Sequence, residues 1–326
     1  MTTWNYHDYY LWNRFDCKIN DKVTNLYLVN CELTKLPKIL GNLINLQYLN
    51  CSCNKLTELP ETLCNLINLQ YLNCSNNQLT ELPENISNLI NLQYLNCYNN
   101  ELIKLPKTIG NLINLQLLDC SYNQLKELSQ TLGNLINLQD LICSNNELIK
   151  LPKTLSNLIN LRQLNCDYNK LTELLKTIGN LINLQILSCS NNKLTKLPKT
   201  IGNLINLQRL WCRSNKLIEL PTLIIKLKHL KYINYDKNMR LSIYMQRYIY
   251  RINNNVHNNY IQTSLLDSIN NLLSETIIKD IDIIKDNILD NKTKSIIYNY
   301  VNDKTQSCLL VNFEELLVYI LEKIEN

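Results

Sequence analysis

The stretch NLINLQYLNCSCNKLTELPETLC, residues 42–64, decides the reading of the chain. The same unit of twenty-three residues starts again at Asn65, Asn88, Asn111, Asn134, Asn157, Asn180 and Asn203, with no insertion or deletion between copies. Consecutive copies at one fixed period mark a solenoid, in which each unit buries its apolar face only by stacking on its neighbours. The pattern speaks to architecture, and to the face that binds, before it speaks to any partner.

Inside the unit the spacing LxxLxCxxNxLxxLP recurs, carried in the first copy by Leu46, Leu49, Cys51, Asn54, Leu56, Leu59 and Pro60. Leu49 and Cys51 alternate with Tyr48 and Asn50, the period of two expected of a short strand with one face inward. Each copy therefore adds one strand to a parallel sheet. Asn54 returns as Asn77, Asn100, Asn123, Asn146, Asn169, Asn192 and Asn215. An amide with two donors and an acceptor can satisfy backbone groups at the turn leaving the strand, so this row reads as a structural ladder. Leu59, Pro60 and Leu63, followed by the Leu43 and Leu46 positions of the next copy, close the core on the convex side. So few residues leave room there only for short 3₁₀ or irregular segments, and Pro60 removes a donor that a longer helix would need. The spacing resembles the signature of the leucine-rich repeat family, LxxLxLxxN/CxL, with Cys in place of the third Leu. The resemblance covers about two-thirds of the chain. It implies an α/β solenoid, a leucine-rich repeat horseshoe with a parallel concave β-sheet and short 3₁₀ or irregular convex segments, followed here by a C-terminal helical region.

Composition fits a soluble chain with a sizeable core: 326 residues, 45% hydrophobic and 19% charged. A formal charge of +5 is too small by itself to imply nucleic acid. Residues 1–10, MTTWNYHDYY, lack a basic start, an apolar run and a small-residue cleavage site, so no signal peptide is expected. No apolar run approaches the roughly eighteen residues of a membrane helix. The expected setting is intracellular and reducing, the cytoplasm, and a host's cytoplasm if the chain is viral. Of the thirteen cysteines, Cys51, Cys74, Cys97, Cys120, Cys143, Cys166, Cys189 and Cys212 share one position of the unit. Stacked strands lie about 4.8 Å apart, within disulfide reach, but these side chains all point into the core rather than toward one another. They read as small buried hydrophobes. The row lacks the converging pairs of a metal site, and His7, His229 and His257 stand outside it, so neither metal nor cofactor is expected. Cys53, at a strand exit, reads as an exposed thiol.

Residues 1–18 are rich in aromatics, Trp4, Tyr6, Tyr9, Tyr10, Trp12 and Phe15. An open solenoid exposes its first core layer, so a lid is required there; an aromatic ligand pocket is the rival reading. The arrangement of Trp12, Phe15, Cys17, Val23, Thr24 and Leu26 is similar to the N-terminal cap of some leucine-rich repeat proteins. Residues 19–41 form a degenerate first copy with Cys31 at the ladder position. A last copy begins at Lys226, keeps Leu230, Ile233, Tyr235 and Asn238 in register, and drifts at Arg240 and Leu241. The repeats thus occupy residues 19–241, about ten copies with atypical outer ones, and residues 242–326 form a helical cap or module.

The eight central copies can be compared with one another. NLINL is identical in all of them, including Asn45 and its equivalents, whose side chains are expected to face solvent with no folding reason to be Asn; recent tandem duplication accounts for the identity. Variation gathers on outward strand positions. One row runs Tyr48, Tyr71, Tyr94, Leu117, Asp140, Gln163, Ile186, Arg209; the next runs Asn50, Asn73, Asn96, Asp119, Ile142, Asn165, Ser188, Trp211; a third ends Asp167, Ser190, Arg213. On a curved parallel sheet these rows line the concave face that solenoids use for partners. They give a Tyr/Asn-rich third, an acidic middle and a basic end. Tyr, Trp and Arg are enriched in interface hot spots, so the expected partner-binding residues are Tyr48, Tyr71, Tyr94, Asn96, Asp119, Asp140, Asp167, Arg209, Trp211 and Arg213. Neutral drift on an unconstrained surface is the competing explanation.

Residues 203–251 carry ten Lys or Arg against Glu219 and Asp236, a local excess of 10 − 2 = +8. There IYMQRYIYR interleaves Tyr244, Tyr248 and Tyr250 with Arg247 and Arg251. Such a segment can serve nucleic acid or anionic lipid; the plainer reading is a helix whose aromatics cap the solenoid's open end. Residues 264–326 show apolar residues at helical spacing, and NNNVHNNYIQTSLLDSINNLL resembles a helical tail seen in uncharacterised proteins of large DNA viruses with AT-rich genomes. His257 in it reads as structural. No catalytic constellation is visible: the five glycines share one turn position, so no phosphate-cradling loop exists, no HExxH, GxSxG or Cys/His arrangement occurs, and Cys308 lies in apolar QSCLLV. Some leucine-rich repeat proteins carry a ubiquitin-ligase domain or an F-box; the N-terminal segment is too short for the latter and no acidic motif surrounds Cys308. The expectation is a non-enzymatic, monomeric protein–protein interaction scaffold that binds a protein on its concave face. The alternatives are an electrostatic binder acting through residues 209–251, for which nucleic acid and membrane are the weaker partners, and an effector with activity in the helical tail.

Overall fold

The computed structural model describes residues 2–4 and 22–253. The chain divides into two compact units, Met1–Asn254 and Asn255–Asn326. The second unit, with His257, Cys308 and the expected tail helices, lies outside the described residues, as do residues 5–21 of the aromatic N-terminal segment.

Strand formation follows the unit. Strands β1 (Thr2–Trp4), β2 (Val23–Tyr27) and then β3 (Tyr48–Asn50) through β11 (Tyr232–Asn234), one per copy, form a single sheet in sequential order, every neighbouring pair parallel. Register is strict: Tyr48 pairs with Tyr71 and Tyr71 with Tyr94, Leu49 with Leu72 and Leu72 with Leu95. A fixed period with no insertion permits only this alignment. β1 was not anticipated; it pairs with β2 at the first edge of the sheet, where unpaired backbone groups would otherwise be open to another chain.

On the convex side, five-residue 3₁₀ segments recur, from Lys38–Asn42 to Thr222–Lys226. Proline precedes seven of them and accounts for all seven prolines of the chain. Its fixed φ and missing N–H suit the residue that turns the chain into the segment. Where Ser129 replaces it, the hydroxyl accepts the Thr131 N–H instead. The glycines end these segments, packed so closely that a Cβ on Gly110 would lie 2.8 Å from Thr131 Cβ.

The core is one column of leucine, isoleucine and cysteine. Leu46, Leu49, Cys51, Leu56 and Leu63 are fully buried, and their equivalents along the central copies are buried too. The row cysteines are all free thiols. Each points its Sγ at the carbonyl of the next strand, Cys51 to Asn73 O at 3.4 Å and Cys166 to Ser188 O at 3.2 Å. Burial pushes these thiols up, Cys74 to about 12.

Three rows of side chains stitch copy to copy. The ladder asparagine is the first: Asn100 Nδ2 donates to the carbonyls of Cys74, Cys97 and Tyr98, while its Oδ1 accepts from Leu79 N–H. Threonines of the 3₁₀ segments form the second, Thr131 Oγ1 donating to Lys107 O at 2.6 Å. The third corrects an expectation. Asn68 donates to Ile44 O at 2.9 Å, Asn91 to Ile67 O at 2.9 Å, and the same bond continues to Asn206 and Ile182 O. The second Asn of NLINL therefore has a structural task, since its amide donates to a carbonyl of the preceding copy's turn that no backbone N–H among the described residues reaches.

The last copy is closed by helix α1 (Ile243–Asn253). Met245 and Ile249 are buried, Tyr248 donates its hydroxyl proton to the carbonyls of Ile224 and Leu227, and Asn253 both donates to Ile233 O and accepts from Ile233 N–H. The basic-aromatic run is thus helical, and it is built into the end of the repeat stack.

Candidate binding face

The outward positions of the strands place the expected residues on one concave surface, all of them half-buried or exposed. Its first third is a stack of phenols. Tyr48 and Tyr71 rings lie 4.2 Å apart and 9° from parallel, and so do Tyr71 and Tyr94; Tyr27, from the row of Asn50, adds a tilted ring 4.9 Å from Tyr48. The rings cover one another's faces, so what they offer a partner is a line of edges and hydroxyls. Desolvation, then the flanking phenols, pushes the Tyr71 hydroxyl well above its ordinary value, keeping it neutral and able to donate. Tyr98 and Tyr122 continue the aromatic surface edge to face, at 5.1 Å.

The adjoining Asn/Asp row has a local task. Asn50, Asn73, Asn96, Asp119 and Asn165 each accept the backbone N–H two residues on, at 2.8–3.1 Å, the Asx turn these short side chains favour. Where the row holds Ser188 an aspartate from the preceding copy takes over that acceptor role, and past Trp211 an aspartate of the following copy accepts the next two N–H groups instead. Asp167 accepts from Ser190 N–H and Ser188 Oγ, and Asp236 accepts from the N–H groups of Ser214 and Asn215. Asp119 and Asp167 therefore have structural partners as well as a place on the face. Burial raises the carboxyls of Asp140 and Asp167; Arg162 opposes this at Asp140, and the Ser188 and Ser190 hydrogen bonds oppose it at Asp167.

At the far end Arg209 and Arg213 are exposed, and Trp211 sits 6.0 Å from Tyr232 at a tilt. Beside the sheet runs a groove of about 860 Å³ lined by alternating Asn and Gln from Asn91 to Asn206, with Arg162 at its middle. Sequence reading missed it, since its asparagines belong to the invariant NLINL. Among the described residues no three His, Cys, Asp or Glu side chains converge as metal ligands would, and no helix is long and apolar enough to cross a membrane.

A parallel solenoid with an asparagine ladder, one strand and one 3₁₀ segment per turn, defines the class. The family model for a leucine-rich repeat region matches residues 83–173 and 165–248, and that for the leucine rich repeat matches residues 21–79. The chain belongs to the leucine-rich repeat family. It is similar to a leucine-rich repeat protein of Leptospira interrogans, 37% identical over 68% of this chain and 56% of that one, with a TM-score of 0.64. It is also similar to the ectodomain of the Arabidopsis thaliana membrane receptor kinase GASSHO1/SCHENGEN3, solved in complex with CASPARIAN STRIP INTEGRITY FACTOR 2 (31% identity, 67% and 26% covered, TM-score 0.60). A third similar structure is the plant peptide hormone receptor RGFR1 in complex with RGF2 (29%, 68% and 37% covered, TM-score 0.59). The chain spans 26% to 56% of the length of these three proteins. No curated protein matches it. The likeness of the tail to proteins of large DNA viruses finds no support in these matches.

Proposed function

We propose that this chain is a non-enzymatic scaffold that binds a protein partner across its concave face, in a reducing intracellular compartment. The observation that carries the reading is the contrast between the two sides of each strand. Inward positions and stitching asparagines are uniform, whereas the outward rows differ from copy to copy and end in stacked tyrosines at one side and Trp211 between two arginines at the other. Packing does not ask for such residues there. Two similar receptor structures were solved with bound partners, which supports the use of this architecture for binding. The buried free thiols suit a compartment that leaves cysteine reduced.

The test is capture from lysate with wild type and with a Tyr71→Ala, Tyr94→Ala, Trp211→Ala variant, each first shown folded by its melting transition. Lost stacking costs about 0.5–1.5 kcal/mol per ring pair, which a solenoid of this length should tolerate. A discrete protein held by wild type and lost by the variant is the expected result. Equal capture by both, or capture only of nucleic acid released steeply by salt, would overturn the reading and move attention to residues 209–251.

A further inference from the structure

The turn that precedes each strand carries a second surface. Ile44 and its seven equivalents, through Ile205, are 50–58% exposed, one in every copy. They are consecutive along the stack, because the neighbouring Asn of each copy hydrogen-bonds the carbonyl of the preceding copy's Ile. At about 4.8 Å per copy the row runs on the order of 34 Å. Its exposed apolar area is on the order of 700 Å², above the few hundred Å² that soluble monomers ordinarily leave open and close to the ~800 Å² per side of a stable interface. Asparagine at this turn has a folding reason; isoleucine at a half-exposed position has none. Exposed positions at the start of the 3₁₀ segments diverged among the copies, as Glu61, Lys107 and Gln130 did, while within NLINL the exposed isoleucine and the exposed leading asparagine both stayed the same.

We propose that the isoleucine row is a dimer interface with a second copy of this chain, related by a two-fold axis between Ile113 and Ile136. A row of identical side chains at fixed spacing is matched in register, over its whole length, by the same row running the other way, which is the self-complementarity a two-fold interface needs. Charge favours that orientation. The 3₁₀ segments begin with Glu61 and Glu84 on the turns of Ile67 and Ile90, and with Lys153 and Lys176 on those of Ile159 and Ile182. Antiparallel pairing about that axis sets Glu61 on the same level as Lys176 of the other copy and Glu84 on the level of Lys153, two complementary levels against one like-charged level, Lys38 with Lys199, at the ends. A parallel arrangement would set like against like.

The experiment is sedimentation equilibrium of the full chain, with Ile113→Lys/Ile136→Lys and the charge variants Glu84→Lys and Glu84→Lys/Lys153→Glu. Both isoleucines are more than half exposed, so the first variant should keep its circular dichroism and melting point. A wild-type dimer, a dissociation constant raised at least 100-fold by the lysine pair, a smaller weakening by Glu84→Lys and recovery in the double charge swap are expected. A wild-type monomer at 100 µM overturns the proposal, whether or not the row then binds anionic vesicles. A dimer unaffected by the lysine pair overturns it too, since the interface would lie elsewhere. Concave-face binding stands or falls separately, because none of these substitutions touches that face.

Discussion

Asn123 donates to the carbonyls of Cys97, Cys120 and Ser121 and accepts from Leu102 N–H. Asn123→Ala would leave the buried Leu102 N–H without its acceptor and remove one of the two amide donors that each of the Cys97 and Cys120 carbonyls has, the other being Asn100 or Asn146, so we predict a loss of about 1–3 kcal/mol, read as a lower urea midpoint with unchanged slope. The ladder was legible because its residue type and spacing repeat without exception. The residue just before it was not read, although it carries a signal: Asn76, Asn99, Asn145 and Asn191 have φ of 52–54°, the left-handed region that asparagine tolerates. Tyr168 and Cys53 occupy the same conformation at φ 50° and 57°. Tyr168→Asn is accordingly predicted to stabilise by about 0.5–1 kcal/mol by thermal melting. Asp140 and Asp167 make a pH prediction. Burial raises both carboxyls in the folded state, so the native protein binds more protons than the unfolded chain above the ordinary carboxylate range, and stability falls as pH rises through that window. Asp140→Asn/Asp167→Asn should be more stable than wild type at pH 7, with the difference gone below about pH 3, where the carboxyls of both states are protonated.

At the scale of elements, strand and 3₁₀ segment follow from the unit, while the turn between them held what sequence reading misjudged. NLINL looked like a relic of duplication because identity across copies says nothing about which side chain bonds which carbonyl; the bond from Asn68 to Ile44 O exists only once two copies are stacked. The local task of the concave Asn row was not legible for a similar reason, since an Asx turn depends on the chain's path after the strand. The cysteine row was legible, its period placing every thiol on the inward face. Native protein treated with a maleimide should therefore be labelled at exposed Cys53 and far more slowly at Cys51, Cys74 and the rest of the row, whose thiols are buried and hold their protons. Peptide mapping before and after denaturation checks this.

For the whole repeat unit, stability is a sum of copy stabilities and interfaces between neighbours, and the ends matter most. α1 covers the last copy with Met245, Ile249 and Tyr248, which answers the sequence-level ambiguity of the basic-aromatic run: its tyrosine at 248 serves the cap. The concave face is what this scaffold holds rigid, and its chemistry changes from neutral phenols through acids to arginines along the stack. That it binds a protein is the central claim. The most direct measurement is site-specific photocrosslinking, with a benzophenone amino acid placed at Tyr71 or Gln163 on the concave face, and at exposed Ile103 or Lys107 off that face as controls. The account predicts crosslinks to one protein from the two concave sites and none from the controls; the same adducts from Ile103 and Lys107, with none from 71 and 163, would contradict it.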